Sequence, residues 1–153
     1  MFIQFTIETV LVSKATGCNI RGRCGADMIN KFGKVMVYVK DPRTVADFWI
    51  RKIGFIEVSQ QKMNNQVLSI ELAPSKLSDC HLVLFDRAIV EEMSEGISLG
   101  TPSILFGSYD ISAMRSDLIS KGVTVGEIVE TGSRTFNFSD VEGNYFAVEE
   151  IAK

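Results

Sequence analysis

The sequence predicts an α+β fold made of two tandem βαβββ modules that form a curved mixed sheet around a shared pocket. Three observations predict it: an alternating strand at Lys34–Val39 stopped by Asp41-Pro42, the same strand-and-cap pattern at Ser103–Ser108 and Asp110, and three β-rich runs after each helix. Lys34 precedes Asp41 by seven residues and Ser103 precedes Asp110 by seven, so one half superposes on the other at a shift of 69 residues, from 34 to 103. Neither half can fully bury its own sheet and helix, which makes pairing them in one body the expected solution.

In the first half, Val35, Val37 and Val39 alternate with Lys34, Met36 and Tyr38, the period-two signature of a strand with two different faces. The valines are expected beneath a helix, and Lys34, Met36 and Tyr38 on the concave side. Asp41 is a good N-cap, Pro42 suits the first helical position, and Val45, Phe48, Trp49 and Ile53 recur along one helix face. Gly54 is the natural terminator. Phe55–Gln60, Gln66–Leu72 and His81–Phe85 read as strands separated by Asn64-Asn65 and by Pro74-Ser75. The stretch from Asp86 to Gly96, with Glu91, Glu92 and Glu95, reads as a solvated linker helix. In the second half, Asp110 caps a helix carrying Ile111, Met114, Leu118 and Ile119, which Gly122 ends. Val123–Val129, Arg134–Phe138 and Tyr145–Glu149 are its three following strands.

The chain has 153 residues, 46% hydrophobic and 23% charged, enough for one well-buried domain and unlike the composition of disordered chains. Its formal net charge is -3 and its Lys and Arg residues are scattered, which argues against nucleic acid or an anionic membrane as partner. No apolar run approaches the roughly 20 residues of a bilayer span. Residues 1–27 differ in character from the rest, so a boundary is expected near Met28, with a single domain over 28–153 and modules at about 29–86 and 103–151. Two readings of the first segment stay open: a genuine extra strand over Phe5, Ile7 and Val10 to Val12, or an upstream addition with Met28 as the natural start. Met1 to Val12 has no Lys or Arg before its apolar part and carries Gln4 and Glu8, which argues against a secretory signal. Cys18, Cys24 and Cys80 are too few and too irregular for a disulfide framework, so reduced thiols and a cytoplasmic location are expected.

Specific strings carry a family resemblance. Val39-Lys40-Asp41 followed by Phe48-Trp49 and Lys52-Ile53-Gly54-Phe55 resembles the opening strand, helix and Leu-Gly-Phe turn of the vicinal-oxygen-chelate superfamily, the glyoxalase/bleomycin resistance protein/dioxygenase-like proteins. Asn137-Phe138-Ser139-Asp140-Val141-Glu142-Gly143-Asn144-Tyr145-Phe146 is similar to its closing hairpin and final strand. The resemblance covers about residues 29–151 and implies two modules around one small-molecule pocket, commonly in a homodimer. Metal-dependent members place four His or Glu ligands on the inner sheet faces; carried onto this chain, those positions are Lys34, Val83, Ser103 and Ala147. An ammonium, an isopropyl and a methyl group supply no donor, and a serine hydroxyl is a weak one. No metal cofactor is therefore expected, which puts the family's metal-assisted isomerase, thiol transferase and ring-cleaving oxygenase chemistries in doubt.

The pocket remains. Strand parity puts Lys34, Met36, Tyr38, His81, Val83 and Phe85 on its inner face, with Ser103, Leu105, Gly107, Tyr145, Ala147 and Glu149 completing it from the second half. Glu71, on a strand with Ser69, is a candidate pocket acid. His81 is the only histidine, and Cys80 next to it points to the opposite face, which defeats a thiolate–base pair. Phe48 and Trp49 read as core or module-contact residues. The expected function is binding of a small organic molecule in an apolar pocket without a metal, for sequestration, resistance or sensing. The alternative is a glyoxalase-like lyase or dioxygenase whose metal is held by His81, Glu71 and Glu149. A third reading is a structural or regulatory protein whose pocket its own side chains fill.

Overall fold

The computed structural model describes residues 31–153, so the expected boundary near Met28, the N-terminal strand, Cys18 and Cys24 lie outside the described residues. The first module runs β1 (Lys34–Val39), α1 (Pro42–Phe48, continued by a π-helical turn over Trp49–Ile53), β2 (Ile56–Met63), β3 (Gln66–Ala73) and β4 (His81–Asp86). A short helix, α2 (Arg87–Met93), leads to the second module: β5 (Leu105–Ser108), α3 (Ile111–Ser120), β6 (Val129–Thr131), β7 (Ser133–Ser139) and β8 (Tyr145–Glu150). Each module forms a four-stranded sheet, ordered β1-β4-β3-β2 in the first and β5-β8-β7-β6 in the second. In both, the first and last strands of the module pair in parallel while the other pairs are antiparallel. This is the duplicated βαβββ architecture.

Capping starts the helices as the sequence requires. The Asp41 carboxylate accepts from Arg43 N at 3.0 Å, Thr44 N at 3.1 Å and Thr44 Oγ1 at 2.6 Å. The Thr44 hydroxyl and amide bonds, with lesser help from Arg43, outweigh desolvation and hold Asp41 below the usual aspartate range. Asp110 accepts from Ala113 N at 2.8 Å at the equivalent place. The two helix ends differ by one residue: Asp41 lies thirteen residues before Gly54, whereas Asp110 lies twelve before Gly122. The π turn absorbs the extra residue, with Gly54 N donating to Trp49 O at 2.9 Å. Both glycines sit at positive φ, 93° and 74°, the left-handed geometry that closes a helix. Asn64 and Asn65, at φ of 50° and 65°, turn the β2–β3 hairpin.

Helix α1 packs across β3 and β4, and α3 across β7 and β8. Beneath α1 lie Val37, Val39, Ile70, Leu72, Leu82 and Leu84, all buried, with Val35 partly buried at the margin. This is the face expected for the valines. Between the modules sits Trp49, fully buried, its ring 4.9 Å from those of Phe55 and Phe146, 5.6 Å from Phe106 and 5.8 Å from Phe138. Two lysines at equivalent places fasten the same seam: Lys52 Nζ donates to Lys121 O at 2.6 Å, and Lys121 Nζ to Lys52 O at 3.1 Å. Their separation of 69 residues is the duplication shift itself. A third tie joins the ends, since the Glu142 carboxylate accepts from Lys40 N at 2.8 Å and Asp41 N at 2.9 Å. Asp140 shapes the turn that presents Glu142, accepting from Glu142 N, Asn144 N and Asn144 Nδ2, each at 2.9 Å.

The strand expected over Phe55–Gln60 runs on to Met63, and two strands of the second module are shorter than expected. The strand expected from Ser103 begins at Leu105, leaving Ser103 outside the ladder. The strand expected over Val123–Val129 is not continuous: Val125 makes an isolated bridge to Phe138, and regular pairing starts only at Val129. Arg115 on α3 reaches the segment at this point, its Nε donating to the Gly126 carbonyl at 2.7 Å and its Nη2 to the Glu127 carboxylate at 2.8 Å.

Candidate ligand-binding faces

The face of each sheet turned away from its helix carries the residues the sequence singled out. On the first sheet, register sets Lys34 beside His81, then Met36, Val83, Glu71 and Ser59 in one row, and Tyr38, Phe85, Ser69 and Gln61 in the next. Alternation along each strand therefore brings Lys34, Met36, Tyr38, His81, Val83, Phe85 and Glu71 to one surface. Val83 is buried among its neighbours, while Met36, Tyr38 and Phe85 are half-buried and the Tyr38 and Phe85 rings lie 6.3 Å apart.

Glu71 is the hub of this surface. Its Oε2 accepts from Lys34 Nζ at 2.8 Å and from Ser59 Oγ at 3.1 Å, and its Oε1 lies 2.6 Å from His81 Nδ1. Burial opposes the charge on Glu71, but bonds from Lys34, His81 and Ser59 together outweigh it and hold the carboxyl below the usual glutamate range. The other ring nitrogen of His81, Nε2, lies 3.0 Å from Ser78 O. Both nitrogens thus face acceptors, so neither is directed to a metal or a substrate proton. Ser59 was not singled out from the sequence. A register shift in β2 between Glu57 and Ser59 disturbs the alternation that would have revealed it.

On the second sheet, Leu105, Ala147 and Asn137 form one row, and Gly107, Glu149 and Thr135 the next. Leu105 is 54% exposed and Tyr145 69% exposed, a large apolar and aromatic area for a sheet surface. Ile151 leans over Gly107, where an added Cβ would meet its Cδ1 at 2.8 Å, so the expected pocket position at Gly107 is occupied by the chain itself. Ser133 Oγ reaches Glu149 at 3.5 Å.

The positions equivalent to the family's metal ligands do not fit a metal. Lys34 is an ammonium bonded to Glu71, Val83 and Ala147 have no donor atom, and Ser103 lies ahead of its strand. Nor are His81, Glu71 and Glu149 brought together: the first two bond each other on one sheet and Glu149 lies on the other, and among the described residues no group of three or more His, Cys, Asp or Glu side chains is placed to hold an ion. No helix of the described residues is long and apolar enough to cross a membrane.

No family model matches the sequence, and no curated protein matches it. Solved structures do. TnmS3, an antibiotic binding protein from Streptomyces sp. CB03234, is 25% identical with a TM-score of 0.68 over 82% of this chain and 98% of its own. A glyoxalase/bleomycin resistance protein from the same organism is 26% identical with a TM-score of 0.61, covering 78% of this chain and 99% of that one. A member of the glyoxalase/bleomycin resistance protein/dioxygenase superfamily from Sphaerobacter thermophilus DSM 20745 is 23% identical with a TM-score of 0.66, covering 81% and 99%. The duplicated modules, their register and these neighbours agree: the chain has the vicinal-oxygen-chelate fold of the glyoxalase/bleomycin resistance protein/dioxygenase superfamily.

Proposed function

We propose that the protein binds a small organic molecule on the concave faces of its sheets, without a metal, in the service of sequestration, resistance or sensing. The observation that carries this reading is the composition of those faces: half-buried Met36, Tyr38 and Phe85 on one and exposed Leu105 and Tyr145 on the other, with a few fixed polar groups among them. Mainly apolar and aromatic linings with sparse polar groups are what small-molecule sites use. The antibiotic binding named for TnmS3 supports the same class of role. The occupied nitrogens of His81 and the scattering of potential donors favour it over a metal-dependent lyase or dioxygenase.

We further infer a homodimer in which a second copy sets its second sheet against the first sheet of this chain. Each sheet ends on the first strand of its module, β1 or β5, and each leaves its concave face without a covering layer from α1 or α3. Facing the two would turn two open surfaces into one enclosed pocket of Lys34, Met36, Tyr38, Glu71, His81, Val83 and Phe85 with Leu105, Tyr145, Ala147 and Glu149. Ser103, just ahead of β5, would lie at its rim.

Thermal unfolding in the presence of a panel of polycyclic and aromatic compounds, with and without chelator, tests the binding reading. A native-state ligand raises the melting temperature by mass action, and a metal-independent one does so equally in chelator. Stabilisation by zinc, nickel, iron or manganese at stoichiometric concentration, or loss of compound binding in chelator, would overturn it. Sedimentation analysis checks the dimer.

A further inference from the structure

We propose that the Lys34 end of the first concave face receives an anionic oxygen, and that the ligand is an organic acid: a carboxylate, sulfonate or phenolate on an apolar body. This rests on the reading of that face as a binding site and adds the charge of the occupant. Donors and acceptors of the cluster are unequally used. Glu71 spends three of the roughly four acceptor positions of a carboxylate on Lys34, Ser59 and His81, and only 13% of its side chain is exposed. His81 faces acceptors at both nitrogens. The acceptors of the cluster are therefore directed inward and used.

Lys34 is in the opposite position. Its ammonium carries three donors, only Glu71 takes one among the described residues, and 45% of its side chain is exposed. The cluster thus shows the surface spare N–H donors on a cation, already oriented by the bond to Glu71. Next to it along β1 stand Met36 and then Tyr38, whose ring pairs with Phe85. A charged oxygen at Lys34 with an apolar, preferably flat, body across Met36 and Tyr38 satisfies both parts. A cationic ligand would meet Lys34 with like charge, and a neutral hydrocarbon would cover the spare donors without replacing their water.

Two fluorescent probes on one scaffold separate charge from shape: 1-anilinonaphthalene-8-sulfonate, and N-phenyl-1-naphthylamine, which lacks the sulfonate. Binding of each to the full chain is measured for the wild type, Lys34→Met, Glu71→Gln and the double variant Lys34→Met/Glu71→Gln, with folding checked by circular dichroism. Lys34→Met should weaken the sulfonate about tenfold and leave the neutral probe within about twofold, since a hydrogen bond to a charged group is worth roughly that factor. Glu71→Gln should strengthen the sulfonate, because the carboxylate no longer offsets the ammonium. The double variant removes both charges, avoids an unpaired Glu71, and should bind the sulfonate more weakly than the wild type but less weakly than Lys34→Met. If the ratio of the two affinities is the same in all four proteins, the acid inference fails while the binding face stands. If neither probe binds the wild type, the binding face falls and the inference with it.

Discussion

Trp49 tests the seam between the modules with the least ambiguity. Replacing it with alanine empties a fully buried site ringed by Phe48, Phe55, Phe106, Phe138 and Phe146. Large-to-small changes of this kind cost about 3–5 kcal/mol, and the loss of several edge-on ring contacts puts Trp49→Ala at the upper end. Set against a typical total of about 5–15 kcal/mol, that removes from about a third to all of the stability. Trp49→Phe is the sharper perturbation. The indole Nε1 is buried with no hydrogen-bond partner among the described residues, so removing it returns about 1–3 kcal/mol. The smaller ring leaves a void of ~40 Å³, which at about 24 cal/mol per Å³ costs about 1 kcal/mol, with a similar amount for lost apolar burial. The two sides nearly cancel, and Trp49→Phe should lie within about 1 kcal/mol of the wild type. Urea unfolding followed by far-ultraviolet circular dichroism measures it, because Trp49 is the only tryptophan and fluorescence is lost in both variants. A loss above about 2.5 kcal/mol in Trp49→Phe would show that the indole N–H is satisfied and that the orphaned-donor reasoning is wrong.

Three further outcomes follow from the geometry. Asp41→Ala and Asp110→Ala should each lower stability by about 1 kcal/mol in chemical denaturation, Asp41 more because it also binds the Thr44 hydroxyl; no loss at either would contradict their capping roles. Glu142→Ala, which removes a carboxylate from two backbone N–H groups, should cost about 2 kcal/mol and Glu142→Gln about half of that; equal stabilities would mean the tie is idle. Because the folded-state carboxyl of Glu71 is depressed, its stabilisation is present above its unfolded value, about pH 4.3, and is lost as pH falls through the lower folded one. Glu71→Gln should therefore flatten the acid limb of the stability curve below about pH 4.3, and an unchanged limb would reject the linkage.

The sequence made the fold legible wherever a local rule was sufficient. Alternation over Lys34–Val39 assigned both faces of β1, and the seven-residue spacing to Asp41 and Asp110 located two caps and the duplication. What escaped depended on contacts distant in sequence. Nothing local announces that Arg115 will take the carbonyl of Gly126, in the middle of the run over residues 123–129. The π turn at Trp49–Ile53 is visible only when the two helix lengths are compared, since one extra residue leaves the apolar pattern of α1 intact. At the site, parity brought Lys34, His81 and Glu71 to one face, but not the fact that they bond one another, which turns a candidate ligand histidine into a fixed structural donor. Trp49 belonged to the core either way; its role as the meeting point of both modules needed three phenylalanines from the second half.

The Glu142 tie has a consequence for how the chain is made. Its bond to Asp41 N spans 101 residues, so the first helix begins synthesis without the carboxylate that completes its start. Domains acquire structure from the N-terminus as they emerge, and long-range contacts come late. The apolar surface around Trp49 therefore stays incompletely covered, without Phe146, until the closing hairpin has left the ribosome. A chain halted before Asp140 would display that surface indefinitely, making late truncation far more damaging to solubility than its position near the end of the sequence would imply.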